Sequence, residues 1–305
     1  MMRALLLSLS VFVCAGACFA QVGGNVVYSQ SGRPSDAARQ NERQKRAESG
    51  APSGTSMYVE ASVLMNVKAD EHVAVFAIAR ECTEVPQCDQ KVGAAIGEFS
   101  AALRQLGVGA GDIYVDFTAQ NRIYGFELVE TAAREKLTGF ELKKNVAVRY
   151  KDKLLLDRMV SAAARAGIFD LVKVDYVVTD PSAVQQRLYE EAARIIKQKL
   201  ARHEALLNVR LRQPAQVLAE RPSVYYPTEM YDSYAAFETE NISQPYYDRQ
   251  KYTVQNARKS RTFFFNALDA DGFDHVVNPV VLEPVVQFTL FVRMKYEIEQ
   301  QLARP

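Results

Sequence analysis

Two hydrophobic periods succeed one another between Thr138 and Leu200. Phe140, Leu142, Val146, Val148 and Tyr150 fall on one side of a two-residue alternation, against Glu141, Lys143, Asn145, Arg149 and Lys151. That pattern predicts a strand with one buried face. Asp152 is placed to cap a helix with the stripe Leu155, Met159, Ala162 and Ala166, and Gly167 supplies its left-handed stop. Residues 168–178 read as a second strand. Asp180-Pro181 then opens a longer helix with Val184, Leu188, Ala192, Ile195, Ile196 and Leu200 inward.

Upstream, Val59, Ala61, Val63, Met65 and Val67 alternate, Ala69-Asp70 turns the chain, and 72–80 is a second run. Together they predict an antiparallel hairpin. A helix follows, with Asp89 as its cap, Val92, Ile96, Phe99, Leu103 and Leu106 as its stripe and Gly107 at its end. Residues 112–117 read as a strand, and 280–298 as a long apolar closing strand. The fold class is α+β: antiparallel strands with packed helices.

The ends differ in character. Arg3, the apolar run 4–13 and Cys18-Phe19-Ala20 have the form of a cleaved export signal over residues 1–20. The minority alternative is a lipoprotein anchored through Cys18, although the large aliphatic residue such a motif wants is missing. Residues 21–56 have no apolar period and read as a disordered arm. The core is expected over 57–212, a Tyr-rich irregular insertion over 213–278, and a closing strand and tail over 279–305. No apolar run after the signal reaches transmembrane length.

Charge is almost balanced, with 37 basic and 36 acidic side chains, so nothing global argues for nucleic acid. Of four cysteines, two lie in the signal. Cys82 and Cys88 remain, closely spaced, and in an oxidising compartment they read as a structural disulfide. A redox pair or a metal site is the alternative, but each wants features absent nearby.

The run from Phe99 to Ile113, with Leu106-Gly107-Val108 and Asp112-Ile113, resembles the helix–Leu-Gly–Asp-Ile turn of the SIMPL domain (DUF541) family. The resemblance extends to Gly139-Phe140 through Tyr150, to Ala164-Arg165-Ala166-Gly167 and to Ala192-Ala193-Arg194. It covers about 57–210. Ile168-Phe169 departs from the family's small residue and Asn, and motifs run out beyond 212. The resemblance implies a periplasmic or outer-membrane-associated protein without established enzymatic chemistry. It also implies ring- or channel-like homo-oligomers in some members, and a link to stress tolerance.

The insertion holds Tyr225, Tyr226, Tyr231, Tyr234, Tyr246 and Tyr247, expected as an interaction surface because Tyr offers amphipathic contact area. Packing against its own domain and a carbohydrate-stacking role are the other readings of that stretch. His72, His203 and His275 form no recognised catalytic motif, and no phosphate loop is present. Asp269, Asp271, Gly272 and Asp274 fail the spacing of a calcium loop and read as a turn. Asn241-Ile242-Ser243 fits a glycosylation pattern that arises easily by chance. Asp116, Glu127 and Glu130 are carboxylates of one imaginable site. No catalytic residue, cofactor or metal is expected. The expected function is a non-enzymatic cell-envelope assembly or interaction protein whose partner is itself or another envelope protein. The rivals are an envelope hydrolase with a pocket around His203 or His275, and a small-ligand or glycan binder using the insertion.

Overall fold

The computed structural model describes residues 34–47, 55–129, 132–234 and 261–299. The chain divides into two compact units, Ser31–Asp232 with Phe263–Pro305, and Met1–Gln30 with Ser233–Thr262. Of the second unit only Ser233, Tyr234, Arg261 and Thr262 are described, with Arg261 3.5 Å from the Ser233 hydroxyl. In order the elements are α1 (Pro34–Ala47), β1 (Ser56–Val67), β2 (Glu71–Cys82), α2 (Val85–Gln105), β3 (Ile113–Val129), β4 (Ala132–Tyr150) and α3 (Leu155–Arg165). There follow β5 (Asp170–Val177), α4 (Pro181–Leu207), β6 (Leu211–Tyr225), β7 (Tyr231–Tyr234), β8 (Thr262–Phe265), β9 (His275–Val277) and β10 (Val286–Ile298). The protein is α+β.

One sheet has the order β3-β4-β2-β5 and is antiparallel throughout. With α2 joining β2 to β3 and α3 joining β4 to β5, it consists of two interleaved split β-α-β units. Both helices lie on one face. The apolar alternations of β2 (Ala74, Phe76, Ile78) and β4 (Leu142, Val146, Val148) meet Val92, Phe99 and Leu103 of α2 and Met159, Ala162 and Ala163 of α3. Gly107 and Gly167 follow these helices at φ 90° and 72°, the backbone their stop positions need.

The other four-stranded sheet has the order β6-β10-β1-β9. α4 covers one face, its Leu188, Ala192, Ile195 and Ile196 packed on Val59, Ala61, Val63 and Met65 of β1 and Phe288, Leu290 and Val292 of β10. The Asp180 side chain accepts from the amide of Ala183, capping α4 at the predicted position. β10 is central in the sheet, paired with β1 on one side and β6 on the other. The first part of the stretch read as an irregular insertion, residues 213–225, is therefore regular strand: β6 has almost its whole length paired with β10.

The expected hairpin does not form. β1 pairs with β10 and β9, and β2 with β4 and β5, so the chain leaves one sheet at Val67 and enters the other at Glu71. At the crossing Asp70 does not close a turn on β1 but reaches across to the β5–α4 connection. Its carboxylate accepts from the amide and hydroxyl of Thr179 at 2.8 and 2.9 Å, and its own amide donates to the Val177 carbonyl. Those bonds, the amide first, hold the Asp70 carboxyl below its usual range.

The segment read as a disordered arm contains α1, which is docked on the second face of the β10 sheet. Its inward stripe is Ser35, Ala38, Glu42 and Lys45, polar except for Ala38, so hydrophobic periodicity cannot reveal it. The Glu42 carboxylate accepts from the Lys45 ammonium, the Tyr225 hydroxyl and the Thr289 hydroxyl at 2.7, 2.8 and 2.9 Å. Beside it the Ser35 hydroxyl and Asn266 amide donate to Asp232.

Cys82 and Cys88 lie 5.5 Å apart at Cα with their sulfurs at bonding distance, tying the end of β2 to the first turn of α2. That helix starts earlier than expected. Pro86 stands in its first two positions, where its missing N–H costs nothing, and Asp89 pairs with Lys144 instead of capping. Replacing both cysteines by Ser is expected to lower stability by about 2 kcal/mol, since the closed loop is short. Urea unfolding with and without reductant is the check; an unchanged midpoint would leave the bond without a structural role.

Candidate interaction surface

β3 and β4 are far longer than the sheet they belong to. β2 ends opposite Phe140, yet the β3–β4 ladder continues to the pair Val129 and Ala132. Gly139 marks the departure: a Cβ there would lie 2.6 Å from the Cys82 carbonyl oxygen, so only glycine lets β4 pass the end of β2. A bulge follows at Thr138, whose hydroxyl donates to the Ile123 carbonyl. Beyond it, residues 123–129 and 132–139 make a two-stranded ribbon with no third strand among the described residues.

The register sorts the ribbon's side chains into two unlike faces. Tyr124 stands opposite Leu137, Phe126 opposite Glu135 and Leu128 opposite Ala133, so Tyr124, Phe126, Leu128, Leu137 and Ala133 share one face. Gly125 stands opposite Lys136 and Glu127 opposite Arg134 on the other, where Lys136 and Glu127 pair at 3.2 Å. The apolar face is bare. Tyr124 is 53% exposed, Phe126 74%, Leu128 81% and Leu137 45%. A two-stranded ribbon is marginal in water on its own and gains stability when its apolar face is covered. Contiguous exposed apolar side chains of this size mark an interaction site.

The tyrosines expected at such a surface are scattered. Tyr225 is buried, its hydroxyl donating to Glu42, so burial and that bond push its own pKa up; it serves the α1 interface and not a partner. Tyr231 is half-buried with its ring on Phe265, and Tyr234 is half-buried. Tyr226 is exposed and lines a cleft of about 380 Å³ with Asp175, Tyr176, Pro181, Thr228 and Glu229. Tyr246, Tyr247 and the Asn241 pattern lie outside the described residues. The alternation Tyr124-x-Phe126-x-Leu128 is legible in the sequence, but Arg122 precedes it on the same face, so the apolar run is short and the sequence alone does not mark it as a separate ribbon.

The other candidates for chemistry are not brought together. Asp116 and Glu127 sit on β3 about 36 Å apart at strand rise, and Glu130 lies outside the described residues. His275 lies 3.8 Å from Glu191, while His203 is half-buried near the end of α4. Asp274 accepts from the Ser62 amide and pairs with Lys199 at 2.5 Å, and Asp269 pairs with Arg39, so these acids hold the structure together. Among the described residues no group of three or more His, Cys, Asp or Glu is arranged to hold a metal, and no helix is long and apolar enough to cross a membrane.

An α+β fold built from a split β-α-β sheet and a second sheet is consistent with the motifs between Phe99 and Arg194. The family model described as SIMPL, a protein of unknown function (DUF541), matches residues 57–260, two thirds of the chain, which belongs to that family. The match runs past 212, where the motifs give out, and takes in much of the stretch read as an insertion. A comparison with curated proteins found none that matches.

Proposed function

We propose that this chain is an exported, non-enzymatic cell-envelope assembly protein that associates with copies of itself through the apolar face of the β3–β4 ribbon. The observation that carries the reading is the exposure of Tyr124, Phe126, Leu128 and Leu137 on one face of an otherwise unsupported hairpin. A second copy is the occupant the face fits. Arg122 and Glu135 lie on the same face as the apolar group, so the surface carries both charge signs and complements itself when two ribbons oppose. Burying Phe126 and Leu128 contributes about 1.5–3 kcal/mol each per ribbon. Export rests on the form of residues 1–20, and the envelope location and the link to stress tolerance rest on the family resemblance.

The test is light scattering of the purified chain at micromolar concentration beside Phe126→Ser/Leu128→Ser. The wild type is expected to be oligomeric and the double variant to fall to monomer with unchanged circular dichroism. A monomeric wild type would reject self-association, and one that instead floats with lipid vesicles would assign the face to a membrane surface.

A second reading, a saccharide groove, is favoured by the cleft at Tyr226. Tyr226, Tyr176, Asp175 and Glu229 all line it, the aromatic and acidic residue types that sugar recognition uses. Chemical-shift changes confined to these residues on adding glycan fragments would support it.

A further inference from the structure

Two crossings between the sheets run side by side. Residues 68–70 carry the chain from β1 to β2, and residues 178–180 carry it from β5 to α4; Asp70 and Thr179 bond them together. Immediately after the first crossing comes His72, on the helix-facing side of β2, only 4% exposed. Its cross-strand neighbours are Tyr150 on β4 and Tyr176 on β5. The imidazole stacks on Tyr150 with ring centroids 5.3 Å apart and meets the edge of Tyr176 at 5.2 Å. Tyr176 in turn packs against the core under α4 and bonds Tyr231, so the ladder Tyr150–His72–Tyr176 joins one core to the other.

The surroundings favour a neutral ring. Nδ1 is buried without a hydrogen-bond partner. As a bare lone pair that nitrogen is tolerated, but protonation makes both ring nitrogens donors and leaves an N–H with no acceptor. The charged groups facing the site are Lys153 before α3 and Glu283 before β10, which pair with each other. Glu283 also bonds Lys68 of the first crossing at 2.9 Å. On the flanking positions Glu71 pairs with Lys151 at 3.3 Å and with Arg149 at 3.7 Å. The nearby carboxylates are thus engaged elsewhere, Glu283 and Glu71 by cations and Asp70 by the amide and hydroxyl of Thr179, and none forms an ion pair with the imidazole.

We propose that His72 is a proton-operated latch on the seam between the two sheets, closed while the ring is neutral and opened when mild acid protonates it. Burial, then Lys153, hold its pKa below the ordinary 6.5, with Glu283 opposing. The sign follows. Above 6.5 neither the folded nor the unfolded ring carries a proton, and the latch stabilises in full. As pH falls below 6.5 the unfolded ring binds the proton first, so stability is lost down to the folded pKa. Attraction of an imidazolium to the Tyr150 face works against opening but does not replace the lost solvation. The consequence is local: the crossings at 68–72 and 176–180 loosen before the cores do.

The test compares the wild-type chain with His72→Phe. Long-range ¹H–¹⁵N spectra follow the His72 ring with pH, while hydrogen exchange, corrected for intrinsic rates, follows the amides of 68–72 and 170–180. His72 is expected to titrate below the ordinary 6.5, and the seam amides to exchange roughly threefold faster or more across that titration, with α2 unaffected. His72→Phe, which keeps an aromatic ring and removes the proton site, is expected to abolish the acceleration. A His72 that titrates at the ordinary value overturns the proposal, as does seam exchange that ignores its titration or persists in His72→Phe.

Discussion

Glu42→Ala is expected to release α1 from the body of the protein. In the folded chain the Glu42 carboxylate is 5% exposed and holds Lys45, Tyr225 and Thr289 at one oxygen. Truncating it leaves the Lys45 ammonium, 8% exposed, with the Ser223 hydroxyl at 2.5 Å and no counter-charge, and two hydroxyls without their acceptor. Breaking a buried pair from one side costs about 3–5 kcal/mol. α1 buries little apolar surface beyond Ala38, so it has little else with which to stay docked. Undocking of the helix is cheaper than global unfolding. The effect should therefore appear as fast proteolysis and hydrogen exchange at 34–47, with the sheets still protected. Replacing both Glu42 and Lys45 by Leu should be far milder, because an apolar pair of similar size leaves no buried charge. A Glu42→Ala protein with α1 as protected as wild type would show that the polar cluster contributes nothing to docking.

Phe99→Ala strikes the other core. Phe99 is fully buried in α2, edge-on to Phe76 of β2 with ring centroids 5.1 Å apart. Alanine is the best helix former, so α2 itself does not suffer. What is lost is the packing of the aromatic ring against β2 and the filling of the space it occupied. A loss of about 3–5 kcal/mol is expected in urea unfolding, with the slope unchanged. A loss below about 1 kcal/mol would mean that the two helices collapse onto the sheet and refill the cavity.

The two variants also separate what is legible in the chain from what is not. Phe99 was identifiable from its place in the stripe with Val92 and Leu103. Met159 and Ala162 of α3, and Leu188, Ala192 and Ile195 of α4, were identifiable in the same way. Each belongs to a local period that the sequence states outright. Glu42 was not, because a helix whose inward face is Ser35, Glu42 and Lys45 has the composition of a solvated linker until its acceptors and donors on β6 and β10 are in place. The ribbon lies between these cases: its apolar residues are visible, but its two faces emerge only with the register that puts Tyr124 opposite Leu137.

Sequence alone determined the α+β class, the stops at Gly107 and Gly167, the cap at Asp180 and the closeness of Cys82 to Cys88. All depend on residues within a few positions of one another, where sterics and short-range hydrogen bonds decide. Tertiary structure alone decided which strand lies beside which. β1 and β2 are consecutive and alternate well enough for a hairpin, yet Asp70 bonds Thr179 and β1 goes to β10, more than two hundred residues away. Strand pairing is a contest between distant segments for the same backbone donors and acceptors, and the winner depends on where α2, α3 and α4 bury their stripes. Length along β3 and β4 was likewise a tertiary matter: the ladder runs on past β2 because Gly139 lets β4 slip by Cys82, leaving Phe126 and Leu128 in water.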